Sequence, residues 1–137
     1  MIPKPHRRNN VAVPLGGVLK HMAVHEWGDE KNPRVVICVH GLSRNGRDFD
    51  VLADALSRDC RVLCPDIPGR GESDWLASAE QYAIPVYAQF IAAMLTELGI
   101  KQYDWVGTSM GGLIGMVMAV TPGSTMRKFV INDVGPA

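Results

Sequence analysis

Five consecutive apolar residues, Val35-Val36-Ile37-Cys38-Val39, four of them β-branched, give this stretch no polar side. A strand without a polar face is covered on both sides, the habit of parallel sheets clad with helices. Residues 61–64, 103–107 and 128–132 read as further strands. Helical stretches fall between them. Asn45 can cap a helix running to Ser57, in which Phe49, Leu52, Ala53 and Leu56 share one face and Asp50, Asp54 and Arg58 the other. From Pro85, a good first-turn residue, Tyr87, Ile91, Met94, Leu95 and Leu98 form a stripe that Gly99 stops. Residues 109–121 form an apolar helix ended by Pro122-Gly123. Upstream, Val11-Ala12-Val13 and residues 18–27 flank Gly16-Gly17, which predicts an edge hairpin. Strands alternating with helices over short links imply right-handed crossovers. The expected fold class is therefore α/β, a doubly wound, mostly parallel sheet with helices on both faces. It occupies residues 11–137, after a flexible N-terminus at 1–10.

Charge and cysteines narrow the function classes. Lys plus Arg and Asp plus Glu are each 14, so no basic surface argues for nucleic acid or an anionic membrane. A small, uncharged or modestly polar substrate fits better. Cys38, Cys60 and Cys64 form no CxxC pair and read as buried thiols in a reducing cytoplasm. The basic N-terminus lacks an apolar stretch behind it, and residues 110–120 fall short of the ~20 that span a bilayer. The expected location is cytoplasmic.

The strongest local signal is Gly107-Thr108-Ser109-Met110-Gly111, a G-x-S-x-G between a predicted strand and a predicted helix. A sharp strand-to-helix bend strains its central residue, and small neighbours let the two elements pass closely; Gly107, Gly111 and Gly112 supply that room. Ser109 then stands above the sheet, and the Met110 N–H, at the helix start, can donate to a developing oxyanion. Met110, Met116 and Met118 read as core filler. After the strand at 35–39, His40-Gly41-Leu42 lets the backbone turn, which makes the Leu42 N–H the candidate second donor. His40 precedes the turn and reads as a brace for the loop rather than a general base.

The loop 66–74, Asp-Ile-Pro-Gly-Arg-Gly-Glu-Ser-Asp, follows the next strand with the stiffness of a Pro/Gly-rich turn. It has neither the Gly-Lys-Ser/Thr of a phosphate loop nor a G-x-G-x-x-G opening a helix. Asp66 reads as a structural acceptor. His21 and His25, on the hairpin, read as solvated side chains rather than metal ligands.

In order and spacing, His40-Gly41, residues 66–73 and residues 107–112 resemble the α/β-hydrolase superfamily, over nearly all of residues 11–136. The likeness is to the esterase, lactonase and carbon–carbon-bond hydrolase branch. It implies Ser109 as nucleophile with Leu42 and Met110 as oxyanion donors. A serine at the elbow speaks against the dehalogenase and epoxide-hydrolase branches, known for an aspartate there. The family's chain order is nucleophile, acid, histidine. Here His6, His21, His25 and His40 all precede Ser109. The resemblance therefore implies the N-terminal part of the fold, with later strands, lid and catalytic histidine missing, and a fragment inactive alone. Asp133 stands where some relatives carry the acid, though most carry it one strand later; otherwise it is a turn former. The expected function is a serine hydrolase acting on an ester, lactone or ketone carbonyl through an acyl-enzyme, with no cofactor or metal. The alternative is a non-catalytic half-fold, a partner-binding or structural module that pairs with the C-terminal remainder or with a second copy.

Overall fold

A computed structural model describes residues 2–132. Six strands, β1 (Arg7–Leu15), β2 (Val18–Trp27), β3 (Val35–Val39), β4 (Arg61–Pro65), β5 (Tyr103–Thr108) and β6 (Met126–Asn132), form one sheet in the order β1-β2-β4-β3-β5-β6. The β4, β3, β5 and β6 strands run parallel, while β1 and β2 are antiparallel additions. Three helices, α1 (Asp50–Leu56), α2 (Ile84–Glu97) and α3 (Met110–Val120), link the parallel strands. The expected architecture holds.

Pleating splits the apolar runs between two cores. Val35, Ile37 and Val39 face Phe90, Ile91, Met94 and Ile114 of α2 and α3. Val36 and Cys38 face the other way, beside Val62 and Cys64, under Phe49 and Ala53. All three cysteines are free and buried, and burial pushes the Cys64 thiol well above its ordinary value.

Several expectations need correction. The sheet begins at Arg7, so residues 7–10 belong to it, paired with residues 23–26. The antiparallel ladder simply continues to this end, and the buried Glu26 carboxylate secures it by taking Arg7 Nε at 2.6 Å and Arg61 Nε at 2.6 Å. Burial alone would raise that carboxyl, but the two guanidinium groups outweigh it and hold it low. The hairpin turn follows the glycines, both left-handed, with Gly16 at φ 57° and Gly17 at φ 79°. Its second strand is not an edge, because residues 24–27 also pair with β4.

The first helix starts as a 3₁₀ turn, Gly46–Phe49, in which Asn45 accepts from Arg47 N. Three residues per turn instead of 3.6 rotates the following face. Asp50 is consequently 4% exposed and held by Arg47 Nε, while Leu52 is 40% exposed. Met110 and Met118 are core residues as expected, but Met116 joins Leu113 and Val120 on an exposed side of α3. Among the described residues no helix is long and apolar enough to cross a membrane.

Candidate active site

Parallel α/β sheets gather their sites at the carboxyl ends of the strands, where loops fan apart. Here three such loops meet, carrying Ser109 after β5, His40-Gly41-Leu42 after β3 and Asp66 after β4.

Ser109 has φ 53° and ψ −114°, and among the described residues it is the only non-glycine with positive φ. An L-residue held there costs on the order of 1–3 kcal/mol and persists only where its surroundings over-determine it. The surroundings do so through two glycines. A Cβ on Gly107 would lie 2.5 Å from the Gly111 carbonyl oxygen, and one on Gly111 would lie 2.0 Å from the Val39 oxygen. No side chain fits at either point, so β5, α3 and the end of β3 approach more closely than other residues would permit. The indole of Trp105 donates to the Gly111 carbonyl at 3.0 Å, and Ser109 N donates to Asn132 O at 3.2 Å, tying the bend to β6. Ser109 itself is exposed.

Both amides expected beside it lie on elements that flank Ser109. Met110 is the first residue of α3, where helix N–H groups have no intrahelical acceptor. A Cβ on Gly41 would stand 3.5 Å from Ser109 Cβ, so the turn bearing Leu42 lies directly against the serine. Neither the Leu42 nor the Met110 N–H has an acceptor among the described residues.

His40 braces this turn. Its Nε2 accepts from Ile67 N at 2.9 Å, which assigns the proton to Nδ1 and makes Nδ1 the donor to Gly41 O at 2.7 Å. Burial lowers the imidazole below its ordinary value, against the opposing pull of the Gly41 bond and the Asp66 charge, so it is neutral at pH 7. With both ring nitrogens engaged, His40 has none to offer Ser109. Because a trans peptide points its N–H opposite its C=O, tying back the Gly41 carbonyl aims the Leu42 N–H away from His40.

Asp66 is the acceptor its position suggested. Gly46 N donates to Oδ1 at 2.7 Å, Glu72 N donates to Oδ2 at 2.9 Å, and His25 Nε2 lies 3.0 Å from Oδ2. Burial alone would raise this carboxyl, but the His25 bond and the two amides hold it below its ordinary value. Gly71, at φ 53°, is required there, since a Cβ would fall 2.3 Å from Asp66 Oδ2.

His25 is thus not solvated; it is buried against Asp66, because β2 has neighbours on both sides at this point. His21 is exposed as expected, beside Asp74. His25, Asp66 and Glu72 bring ligand atoms within 4.8 Å of one another, but the Asp66 oxygens already serve two amides and His25, and Glu72 pairs with Arg8. The Asp66–His25 bracket joins β2 to the loop after β4. Asp133, the candidate acid, lies outside the described residues.

A cavity of about 460 Å³, lined by Lys31, Val35, Arg61, Ile100 and Lys101 among others, opens at the amino ends of the parallel strands. It is at the opposite end of the sheet from Ser109, and its lining residues include no Ser, Thr, Cys or His.

Residues 34–136 match the family described as alpha/beta hydrolase fold, and the chain belongs to that family. It is 55% identical over 118 residues to a 3-hydroxybutyrate-oligomer hydrolase of Cupriavidus necator, covering 86% of this chain and 40% of that protein. It is 37% identical over 110 residues to a pimeloyl-[acyl-carrier protein] methyl ester esterase of Vibrio cholerae, covering 80% of this chain and 40% of that one. Among solved structures, an alpha/beta hydrolase from Novosphingobium aromaticivorans superposes with TM-score 0.77 at 38% identity, covering 94% of this chain and 45% of that one. The chain therefore spans under half the length of these relatives.

Proposed function

We propose that Ser109 is the nucleophile of a hydrolase that cleaves esters of short hydroxyacyl groups, with the linear 3-hydroxybutyrate oligomers as the favoured class. The observation that carries this reading is the exposed, positive-φ Ser109 at the tip of β5, abutting the Gly41 turn. Strain of that kind, held in place by close-packed glycines, belongs with function rather than folding. Likeness to a 3-hydroxybutyrate-oligomer hydrolase and to a pimeloyl-[acyl-carrier protein] methyl ester esterase supports that substrate class.

In this reading Ser109 Oγ bonds to the ester carbonyl carbon while its proton passes to a general base, and the carbonyl oxygen becomes an oxyanion received by the Leu42 and Met110 amides. Collapse breaks the ester C–O bond, and the base returns the proton to the departing hydroxyl. Water then repeats the sequence on the acyl-serine and releases the acid. The base comes from another part of the full-length protein. His40 is engaged at both nitrogens, His25 faces Asp66, His21 faces Asp74, and His6 Nδ1 accepts from Gly28 N. Asp133 is the candidate acid within this chain. Lactones enter the same chemistry, their ring oxygen leaving as a hydroxyl on the same molecule, whereas a ketone does so only where a C–C bond can break to release a stabilised carbanion that the base protonates.

The test is monomer release by the full-length protein from the dimer and trimer of 3-hydroxybutyrate, with p-nitrophenyl butyrate as a generic ester. Cleavage of the oligomers is expected. Folded protein that leaves every ester intact contradicts the proposal. That result would favour a second reading, a module that associates through the open edge of β6 and the exposed Leu113, Met116, Val120 and Val130, with the C-terminal remainder or a second copy as partner.

A further inference from the structure

The two oxyanion amides are held by different means. The Met110 amide is built into the first turn of α3, where Met110, Gly111 and Gly112 are buried. The Leu42 amide sits on a surface turn closed by one backbone bond, Arg44 N to Gly41 O at 3.2 Å, and the Leu42 side chain is 64% exposed, so packing does little to fix it. His40 secures the Gly41 side of that turn. On the far side, Arg70 Nε donates to the Leu42 carbonyl at 3.0 Å. The same guanidinium donates through Nη1 to Pro68 O and to Tyr87 Oη, each at 2.9 Å. Its Cζ stands 5.2 Å from the centroid of the Tyr87 ring, and Tyr87 is buried on α2.

We propose that Arg70 is a positioning residue for carbonyl activation: its planar fork ties the Leu42 turn to the loop after β4 and to α2, and so keeps the Leu42 N–H directed at the carbonyl that Ser109 attacks. The inference rests on the hydrolase reading above and assigns a role that reading does not need. A guanidinium suits the task because it presents several donors in one plane and carries its charge at every working pH. A lysine head is a single point and cannot reach three acceptors in that arrangement. Oxyanion donors act on the transition state more than on the bound ester, so loosening one lowers kcat more than it changes KM.

The experiment measures p-nitrophenyl butyrate hydrolysis by the full-length protein and inhibition by a trifluoromethyl ketone, whose hemiketal oxyanion occupies the same two amides. Arg70→Met is expected to lower kcat at least about tenfold, to leave KM within about twofold, and to weaken the inhibitor by the factor lost in kcat. Arg70→Lys keeps the charge and is expected to stay near the Met variant. Tyr87→Phe, which removes one anchor of the guanidinium, should lower kcat by about two- to threefold. Arg70→Met with wild-type kcat and inhibitor affinity overturns the proposal. If that variant does not fold, Arg70→Lys and Tyr87→Phe decide, and wild-type values in both overturn it. Full activity in Arg70→Met beside an inactive Ser109→Ala removes the role of Arg70 and leaves the hydrolase reading standing, whereas an inert wild-type protein removes both.

Discussion

Ser109→Ala in the full-length protein is expected to lower kcat for ester hydrolysis on the order of a millionfold, with KM little changed. The size follows from the route. Without Oγ there is no acyl-enzyme, and what survives is the contribution of the two amides and of substrate binding, on the order of 10³–10⁴ over water. Folding should be unharmed, since alanine in this bend keeps the same backbone strain and loses only an exposed hydroxyl. Steady-state kinetics with 3-hydroxybutyrate dimer, paired with a melting curve, gives both numbers. A fall of less than about a hundredfold would mean that another group carries the attack.

Gly111→Ala is expected to be the most damaging single methyl in this half of the fold. The added Cβ would sit 2.0 Å from the Val39 oxygen, 2.6 Å from the Val39 carbonyl carbon and 3.0 Å from the His40 oxygen. All three neighbours are backbone at the end of β3, a strand hydrogen-bonded on both sides, so no rotamer change relieves the clash. Either α3 or the end of β3 must shift. Overpacking of this severity lies at or beyond the upper end of the usual 1–3 kcal/mol, which lowers Tm on the order of 10 °C. Because the shift separates Ser109 from the Gly41 turn, kcat should also fall, by about a hundredfold for a displacement near 1 Å. Gly99→Ala is the matched control. Its φ of 68° is left-handed, but a Cβ there meets nothing within 4 Å, so only the conformational cost of about 1 kcal/mol applies. Equal melting temperatures for the two variants would show that the close approach at Gly111 is not constraining.

Much of this was legible from local signals. The hairpin glycines, the Val35–Val39 strand and the elbow glycines each meet a steric demand that neighbouring residues alone define, and each lies where those residues require. Three features were hidden because they depend on partners distant in sequence. His25 reads as solvated if β2 is an edge strand, and only the pairing of Val24–Trp27 with β4 buries it. Asp50 reads as an outward residue of a regular α-helix, and the 3₁₀ entry at Gly46–Phe49 turns it inward onto Arg47. Arg70 sits in a loop whose glycines draw attention from it, and its link to Leu42 spans 28 residues. A buried Asp66 facing two amides was foreseeable as an acceptor, though its joining of β2 to the loops was not.

Labelling of the full-length protein with a fluorophosphonate, followed by digestion and mass measurement of the modified peptide, tests most directly whether the strained serine is the nucleophile. A single stoichiometric adduct on Ser109, absent from Ser109→Ala, is the predicted result. An adduct on a different residue, or ester hydrolysis that continues while Ser109 stays unmodified, would contradict it.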